Sequence, residues 1–464
     1  MRKLVAALVV CCGFALADSM GAIAIRNAKI VPVSGPVISK GTVIIRNGLI
    51  EAVGENPPLP PDAWIVDGEG MTVYPGLIDA LSTVGMPGAA PVAATAGRGG
   101  GRGQTTTPPV AQPAPVTTTT AAPPARGPED RPNTSSWVLA ADEIQATDRR
   151  IETVRGAGFT TTVTYPTRGI FAGQGSILDL VTSDRTGDMV VAPAVGQYIS
   201  FTRTPGASIF GSFPSSLMGY IAYVRQIYLD AEHYKLVKDA YARNPRGIER
   251  PAYDRALEGV LASKRILLPA NRLVEVDRML RFAAELKQPA ILYGMREGYR
   301  PEAAPLLKKY GAPVLVSLKW SEAPRDPDPE AVETMRNLQN IDQGPSTPAL
   351  LQKAGVTFAF YTDGIDQPRE LQRAVKKALD AGLAREDAIR ALTLSPAEIY
   401  GVSDRMGSIE AGKIANLVVT KGELFDANTR VEMIFVDGKQ YKPAPEPPQS
   451  GGRGQVGETP EVNR

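Results

Sequence analysis

Alternating apolar and polar residues mark both ends of the chain. Near the N-terminus, GTVIIRNGLIEAVG predicts two strands joined at Asn47-Gly48, because Asn-Gly favours the tight type I′ turn of a β-hairpin. Near the C-terminus, IANLVVTKG predicts a strand, and VEMIFVDGKQY predicts another with an Asp437-Gly438 turn. We expect the two segments, 23–74 and 405–442, to pair into one small composite β side domain.

Between these ends, short apolar runs alternate with amphipathic helical patterns. Strands are predicted at 77–81, 159–165, 176–182, 189–195, 265–268, 290–293, 313–316 and 356–361. Among the predicted helices are 141–155, 220–242, 253–263, 273–286, 302–310, 348–354, 370–381 and 385–394. The strands 176–182 and 189–195 are separated only by a polar turn. From 265 onward strands and helices alternate regularly, which is typical of βαβ units with parallel strands. The pattern predicts an α/β fold in which about seven of these strands are of the barrel type, short of the full eight, and the fourth barrel strand is the least distinct.

Two stretches lack the apolar residues that a packed core needs. Residues 86–136 are rich in Gly, Ala, Pro and Thr, and residues 443–464 form a Pro/Gly-rich tail. Such compositions cannot offset their ordering entropy, so both are predicted to be disordered. The 86–136 insertion would follow the first strand of the barrel. A neutral insertion and a segment that covers substrate or binds a partner both remain open.

The first residues resemble a secretory signal. Arg2 and Lys3 precede an apolar run, and Ala15-Leu16-Ala17 matches a small-x-small cleavage site. We therefore predict a signal peptide over 1–17 and export to the periplasm or the extracellular space; the alternative is that the segment is retained as an anchor. Both cysteines, Cys11 and Cys12, would be removed with it, which leaves no disulfide or thiol nucleophile in the mature chain.

Overall composition narrows the range of partners. The chain has 464 residues, with Lys plus Arg 51 against Asp plus Glu 49. With a net charge so close to zero, the chain lacks the excess of basic residues that would indicate nucleic-acid binding. No apolar run after the signal is long enough to span a bilayer. We therefore expect neither nucleic-acid nor membrane binding by the mature protein.

Four motifs carry a resemblance to a known family. The stretch DGEGMTVYPGLIDALSTVG (67–85) resembles the first barrel strand of the amidohydrolase superfamily, where Pro-Gly-aliphatic-aliphatic-Asp precedes His-x-His. TLSPAEIYGV, RMGSIEAGKIANLVV and VDGKQY resemble later segments of the imidazolonepropionase-like branch, with Asn416 where Asp is usual. The resemblance implies a TIM-type (β/α)8 barrel over 75–404, with its site at the C-terminal ends of the strands.

The resemblance also implies a metal centre, but this chain lacks its histidines. Leu81 and Thr83 stand at the His-x-His positions, Pro269 at that of the fifth-strand His, and Tyr293 at that of the sixth-strand His. Asp363 stands at the position of the last ligand. Catalytic zinc needs about three protein ligands, so no metal is predicted. The one histidine of the chain, His233, lies among charged residues in a helical pattern and is predicted to be a surface residue.

The remaining candidate residues follow from these strand assignments. Asp363 is the candidate catalytic residue, as a general base by resemblance or as a structural carboxylate that accepts backbone N–H bonds. Asp79 is predicted to be structural. Tyr293, Asn271, Arg272 and Arg296 would lie near the barrel mouth and could bind a polar or anionic ligand.

Two functions remain open. The first is an exported amidohydrolase-like protein with a degenerate metal site, non-catalytic or catalytically altered, which binds a ligand or accompanies an active homologue. The second is a working hydrolase of C–N bonds in cyclic amides or dipeptide-like substrates. No cofactor is predicted under the first, whereas the second would call for zinc or another divalent metal. A homo-oligomer and pairing with an active amidohydrolase are the two assemblies considered.

Overall fold

The computed structural model describes residues 21–87, 131, 133–201, 214, 216–247, 249–323, 332–426 and 429–443. The predicted signal peptide, most of the predicted insertion and all but the first residue of the predicted tail lie outside these ranges. Within them the chain forms an α/β fold, as predicted, with two sheets of eight strands each. None of the described helices is both long and apolar enough to cross a membrane.

The first sheet draws its strands from both ends of the chain. Its strands are β1 (Ile23–Ile30), β2 (Ile38–Arg46), β3 (Leu49–Gly54), β4 (Trp64–Asp67), β5 (Thr72–Pro75), β14 (Leu417–Lys421), β15 (Arg430–Val436) and β16 (Lys439–Tyr441). The antiparallel pair β5–β14 joins the N-terminal strands to the C-terminal ones. Both predicted hairpin turns are present, and Asn47, Gly48, Asp437 and Gly438 all have the positive φ of a type I′ turn.

The second sheet contains the strands predicted for the middle of the chain. Its strands are β6 (Leu77–Ser82), β7 (Phe159–Thr164), β8 (Phe171–Asp179), β9 (Val190–Ile199), β10 (Ile266–Ala270), β11 (Ala290–Gly294), β12 (Val314–Ser317) and β13 (Phe358–Tyr361). They lie side by side in chain order. The strands from β9 to β13 are parallel, but β8 is antiparallel to both neighbours. The two strands predicted here, with a polar turn between them, are thus an antiparallel pair, which departs from the (β/α)8 pattern that the resemblance implies.

Both faces of the second sheet are buried. On β12, Val314 and Val316 pack into the larger core, which contains the helices, whereas Leu315 packs into a second cluster with Leu267 of β10 and Ala359 of β13. This alternation follows from the two-residue period of a strand. It also explains why these strands are continuous apolar runs in the sequence.

Helices connect and cover the strands. They are α1 (Ala140–Glu143), α2 (Arg150–Gly156), α3 (Leu217–Arg243), α4 (Arg255–Ala262), α5 (Leu273–Glu285), α6 (Ala303–Tyr310), α7 (Met335–Gln343), α8 (Thr347–Ala354), α9 (Pro368–Asp380), α10 (Arg385–Ala391) and α11 (Leu394–Tyr400). The predicted surface position of His233 on α3 is confirmed, since this residue is exposed.

Two local predictions are wrong. The helix predicted over 141–155 is broken into α1 and α2, because the Asp148 carboxylate between them accepts backbone N–H bonds from Gly85 and Arg150, at 2.8 and 2.9 Å. The end of the predicted disordered insertion is ordered: Thr134 forms a β-bridge with Phe171 and Ser136 is fully buried. Tertiary contacts outweigh the polar composition there.

Candidate functional site

The two outer strands of the second sheet, β6 and β13, are brought together at one point. The Asp79 carboxylate on β6 accepts a hydrogen bond from the backbone N–H of Thr362 at 3.0 Å and another from the Thr362 hydroxyl at 2.7 Å. Asp79 is 1% exposed. Burial raises the pKa of its carboxyl to about 6, and the hydrogen bonds from Thr362 oppose that rise. Asp79 thus has the structural role predicted from the sequence.

Next to this junction is a cavity of about 70 Å³. It contains three of the positions singled out in the sequence, Leu81, Thr83 and Asp363, together with Tyr361 and Arg150. Leu81 and Thr83 belong to the end of β6 and the turn after it, and Asp363 follows β13. The cavity therefore lies where the first and last strands of the sheet end.

Asp363 is the buried carboxyl of this cavity, with 3% exposure. Its Oδ2 accepts a hydrogen bond of 3.0 Å from the Ser317 hydroxyl at the end of β12. Its Oδ1 is buried without a hydrogen-bond partner. Burial raises the pKa of Asp363 to about 6, against the opposing effects of Ser317, Lys319 and Arg296. Oδ2 is thus held by a side-chain hydroxyl, where the structural role expected backbone N–H donors, and both roles considered for Asp363 stay predictions.

The backbone also fixes this carboxyl. Asp363 has φ +52°, in the left-handed region, and Gly364 follows with φ +91°. The left-handed conformation is uncommon for residues other than glycine, but Asp adopts it more readily than most. Such conformations cluster at functional sites.

Tyr293 belongs to a group of buried tyrosines in the second hydrophobic cluster, on one face of the second sheet. Its hydroxyl lies 2.8 Å from that of Tyr198, their rings stack with centroids 5.6 Å apart, and the ring of Tyr361 lies edge-on at 6.5 Å. Burial raises the pKa of Tyr293 well above its usual value. The phenol is therefore neutral at ordinary pH and already paired. Through Tyr361 it connects to the cavity, while Pro269 is its neighbour on β10.

The other candidate binding residues are placed differently. The backbone N–H groups of Asn271 and Arg272 both donate to the Glu275 carboxylate, at 2.9 and 3.1 Å, at the start of α5. Neither residue lines the cavity, and the Arg272 side chain is exposed. Arg296 acts on the cavity from a distance by lowering the pKa of Asp363.

Sequence reasoning missed four residues that shape the site. Ser317 and Thr362 orient the two carboxyls, Tyr198 pairs with Tyr293, and Arg150 lines the cavity. Thr362 could have been found because it directly precedes Asp363 in the sequence. Ser317, Tyr198 and Arg150 carry no local motif, and only the fold brings them close.

The residues present do not fit the metal centre that the family resemblance implies. Within the described ranges, no three His, Cys, Asp or Glu side chains lie close enough to hold a metal ion. Leu81 and Pro269 have no side-chain donor atom, and Tyr293 is occupied by Tyr198. Of the five positions compared with the family's ligands, Asp363 alone carries a carboxylate, whereas catalytic zinc takes about three ligands from the protein.

The C-terminal part of the chain resembles a known family in sequence. The amidohydrolase family profile matches residues 341–441. This part of the chain is amidohydrolase-like. A 5-methylthioadenosine/S-adenosylhomocysteine deaminase of Moorella thermoacetica is 38% identical over 71 residues, which are 14% of this chain and 16% of that protein.

Solved structures extend the amidohydrolase-like resemblance over most of the chain. An amidohydrolase from Thermotoga maritima is 26% identical with a TM-score of 0.69, covering 90% of this chain and 100% of that one. A Xaa-Pro dipeptidase with methionine bound in its active site is 17% identical with a TM-score of 0.52, covering 91% and 100%. At that identity the dipeptidase shows the shared fold alone.

Proposed function

We propose that this chain is an exported amidohydrolase-like protein that binds a small ligand at the Asp363 cavity without a hydrolytic metal centre. In this proposal the second sheet is a (β/α)8-type barrel that spans 75–404, the first sheet is a composite side domain, and the chain is nearest to the imidazolonepropionase-like branch. The junction of β6 and β13 through Asp79 and Thr362 supports barrel closure.

One observation carries the functional proposal. The position that the resemblance assigns to the sixth-strand histidine is Tyr293, a neutral phenol hydrogen-bonded to Tyr198 and packed against Tyr361. Its hydroxyl and its ring are both engaged in these contacts, so the side chain is not free to bind a metal. With Leu81 and Pro269 at two other positions, the donor atoms for activating a metal-bound water are missing.

A second function is favoured by a different observation. Asp363 keeps one buried oxygen free of hydrogen bonds, and a positioned carboxylate can take a proton from water attacking an amide carbonyl. The similarity to an amidohydrolase from Thermotoga maritima supports the same possibility. The alternative is therefore a hydrolase of C–N bonds in cyclic amides or dipeptide-like substrates, with Asp363 as the base.

Activity measurements separate the two functions. The purified mature chain is assayed on a panel of cyclic amides and dipeptides, with and without added Zn²⁺, beside the Asp363→Asn variant. The binding proposal predicts no turnover above that of the variant under either condition. Turnover that Asp363→Asn abolishes, while the variant keeps the wild-type melting temperature, would overturn it and establish the hydrolase. Export and the assembly state, whether a homo-oligomer or a pair with an active amidohydrolase, are part of the proposal and need fractionation and mass measurements.

A further inference from the structure

The cavity next to the β6–β13 junction has an unbalanced set of charges. Among the residues that the structure describes, the charged ones in its lining are Asp363, Asp366 and Arg150. The Arg150 guanidinium lies 2.7 Å from the Asp148 carboxylate. It also donates to the backbone carbonyls of Thr83 and Met86, at 2.9 and 3.2 Å. Its charge is thus offset by a carboxylate outside the lining, and the two lining aspartates leave the cavity negative.

The two cations that lower the pKa of Asp363 are not among the lining residues. Arg296 and Lys319 both lower the pKa of Asp363, but each contributes less than the Ser317 hydrogen bond. The carboxylate of Asp366 accepts a bond of 3.1 Å from the neutral side-chain amide of Gln367. A neutral donor leaves the negative charge of Asp366 in place.

The unpaired oxygen of Asp363 is a second, independent observation. Asp363 is only 3% exposed. Its Oδ2 accepts a hydrogen bond from Ser317, whereas its Oδ1 is buried without a hydrogen-bond partner. Buried acceptors are nearly always satisfied, and an exception calls for an explanation. A ligand in the cavity that carries an N–H group would supply the missing donor. A positively charged donor would also form the stronger, charge-assisted hydrogen bond.

We infer that the cavity binds a small protonated amine, whose N–H donates to Oδ1 of Asp363 while Asp366 supplies the second negative charge. This inference rests on the proposed ligand-binding function and specifies its ligand class. The Thr83 hydroxyl already accepts a hydrogen bond of 3.2 Å from Arg150. Leu81 and Tyr361 offer an apolar wall for the carbon chain of the amine. No covalent step is involved.

The test compares three probes of one shape on the mature full-length protein. Butylammonium, 1-butanol and butyrate are titrated by calorimetry, with thermal shifts as a second readout. We expect butylammonium to bind at least about tenfold more tightly than 1-butanol, and butyrate to bind more weakly than both. Added salt should weaken the amine more than the alcohol.

Variants assign the effect to residues. Asp363→Asn should reduce butylammonium affinity by at least about tenfold, and Asp366→Asn should reduce it less, because Asp366 is only partly buried. Asp380→Asn is the matched control, since its carboxylate is an exposed partner of Lys376 on α9. If Asp363→Asn fails to fold, the butylammonium affinity of Asp366→Asn alone tests the inference.

The outcomes separate this inference from the proposed function. Equal affinity for the amine and the alcohol, tighter binding of butyrate, or amine binding unchanged in both cavity variants would overturn the amine inference. Amide hydrolysis that depends on Asp363 would overturn the proposed function instead, whatever the amine titration gives.

Discussion

Asp79 and Thr362 connect the first and last strands of the second sheet through two hydrogen bonds to one buried carboxylate. Asp79 belongs to the Pro-Gly-Leu-Ile-Asp run that resembles the opening strand of the amidohydrolase barrel, and Thr362 immediately precedes Asp363. The same contact therefore stabilises the sheet and positions the cavity.

Loss of this contact should be costly. Asp79→Ala leaves the Thr362 N–H buried without a partner, and we expect a loss of about 2–4 kcal/mol in the free energy of unfolding. Thr362→Val removes only the hydroxyl bond and should cost about 1–2 kcal/mol. Urea denaturation measures both. Equal losses for the two variants would show that the backbone N–H bond contributes little.

A second buried carboxyl should make stability depend on pH. Asp179 accepts hydrogen bonds from Thr161 at 2.8 Å and from Asn416 at 2.7 Å, where the second sheet meets β14. Burial raises its pKa to about 7, with the charge of Asp437 adding to the rise and that of Arg405 opposing it. The folded state thus binds this proton more tightly than the unfolded state, whose Asp pKa is about 3.9.

The sign of the pH effect follows from that difference. The stabilisation from Asp179 is fully present below about pH 4 and is lost as pH rises towards 7. Asp179→Asn keeps both acceptor contacts but cannot titrate. Relative to this variant, the wild type should lose stability between pH 5 and pH 7, by at most about 1.4 kcal/mol per pH unit. Parallel curves for the two proteins, from urea denaturation at each pH, would contradict the raised pKa.

Gly175 leaves space for the ring of Tyr165, one of the buried tyrosines on the face of the second sheet. A Cβ on Gly175 of β8 would overlap the ring carbons of Tyr165, whose backbone follows β7. Gly175→Ala should therefore destabilise the fold by about 1–3 kcal/mol through overpacking. Gly156→Ala, at the end of α2, has open space for its Cβ and should be neutral or stabilising by up to about 1 kcal/mol. Similar unfolding free energies for the two variants would be inconsistent with this packing.

Local sequence signals predict some elements of the fold and not others. The Asn47-Gly48 and Asp437-Gly438 turns were predictable because two residues determine the backbone there. The parallel strands from β10 to β13 were predictable from short apolar runs. The antiparallel β8 was not, since its apolar residues carry no sign of direction. The break between α1 and α2 depends on a hydrogen bond from Gly85, 63 residues from Asp148.

The candidate site divides in the same way. Leu81, Thr83 and Asp363 were found from the sequence, and all three line one cavity. The unpaired Oδ1 of Asp363, its partner Ser317 and the Tyr198–Tyr293 pair depend on contacts between distant segments. No window of the sequence contains that information.

Metal analysis of the purified mature protein tests the central claim most directly. After dialysis against buffer with micromolar Zn²⁺, we expect well below one equivalent of bound metal, the same melting temperature with and without chelator, and unchanged butylammonium binding. One equivalent of zinc retained through dialysis, and lost in Asp363→Asn, would contradict the claim that this chain works without a metal centre.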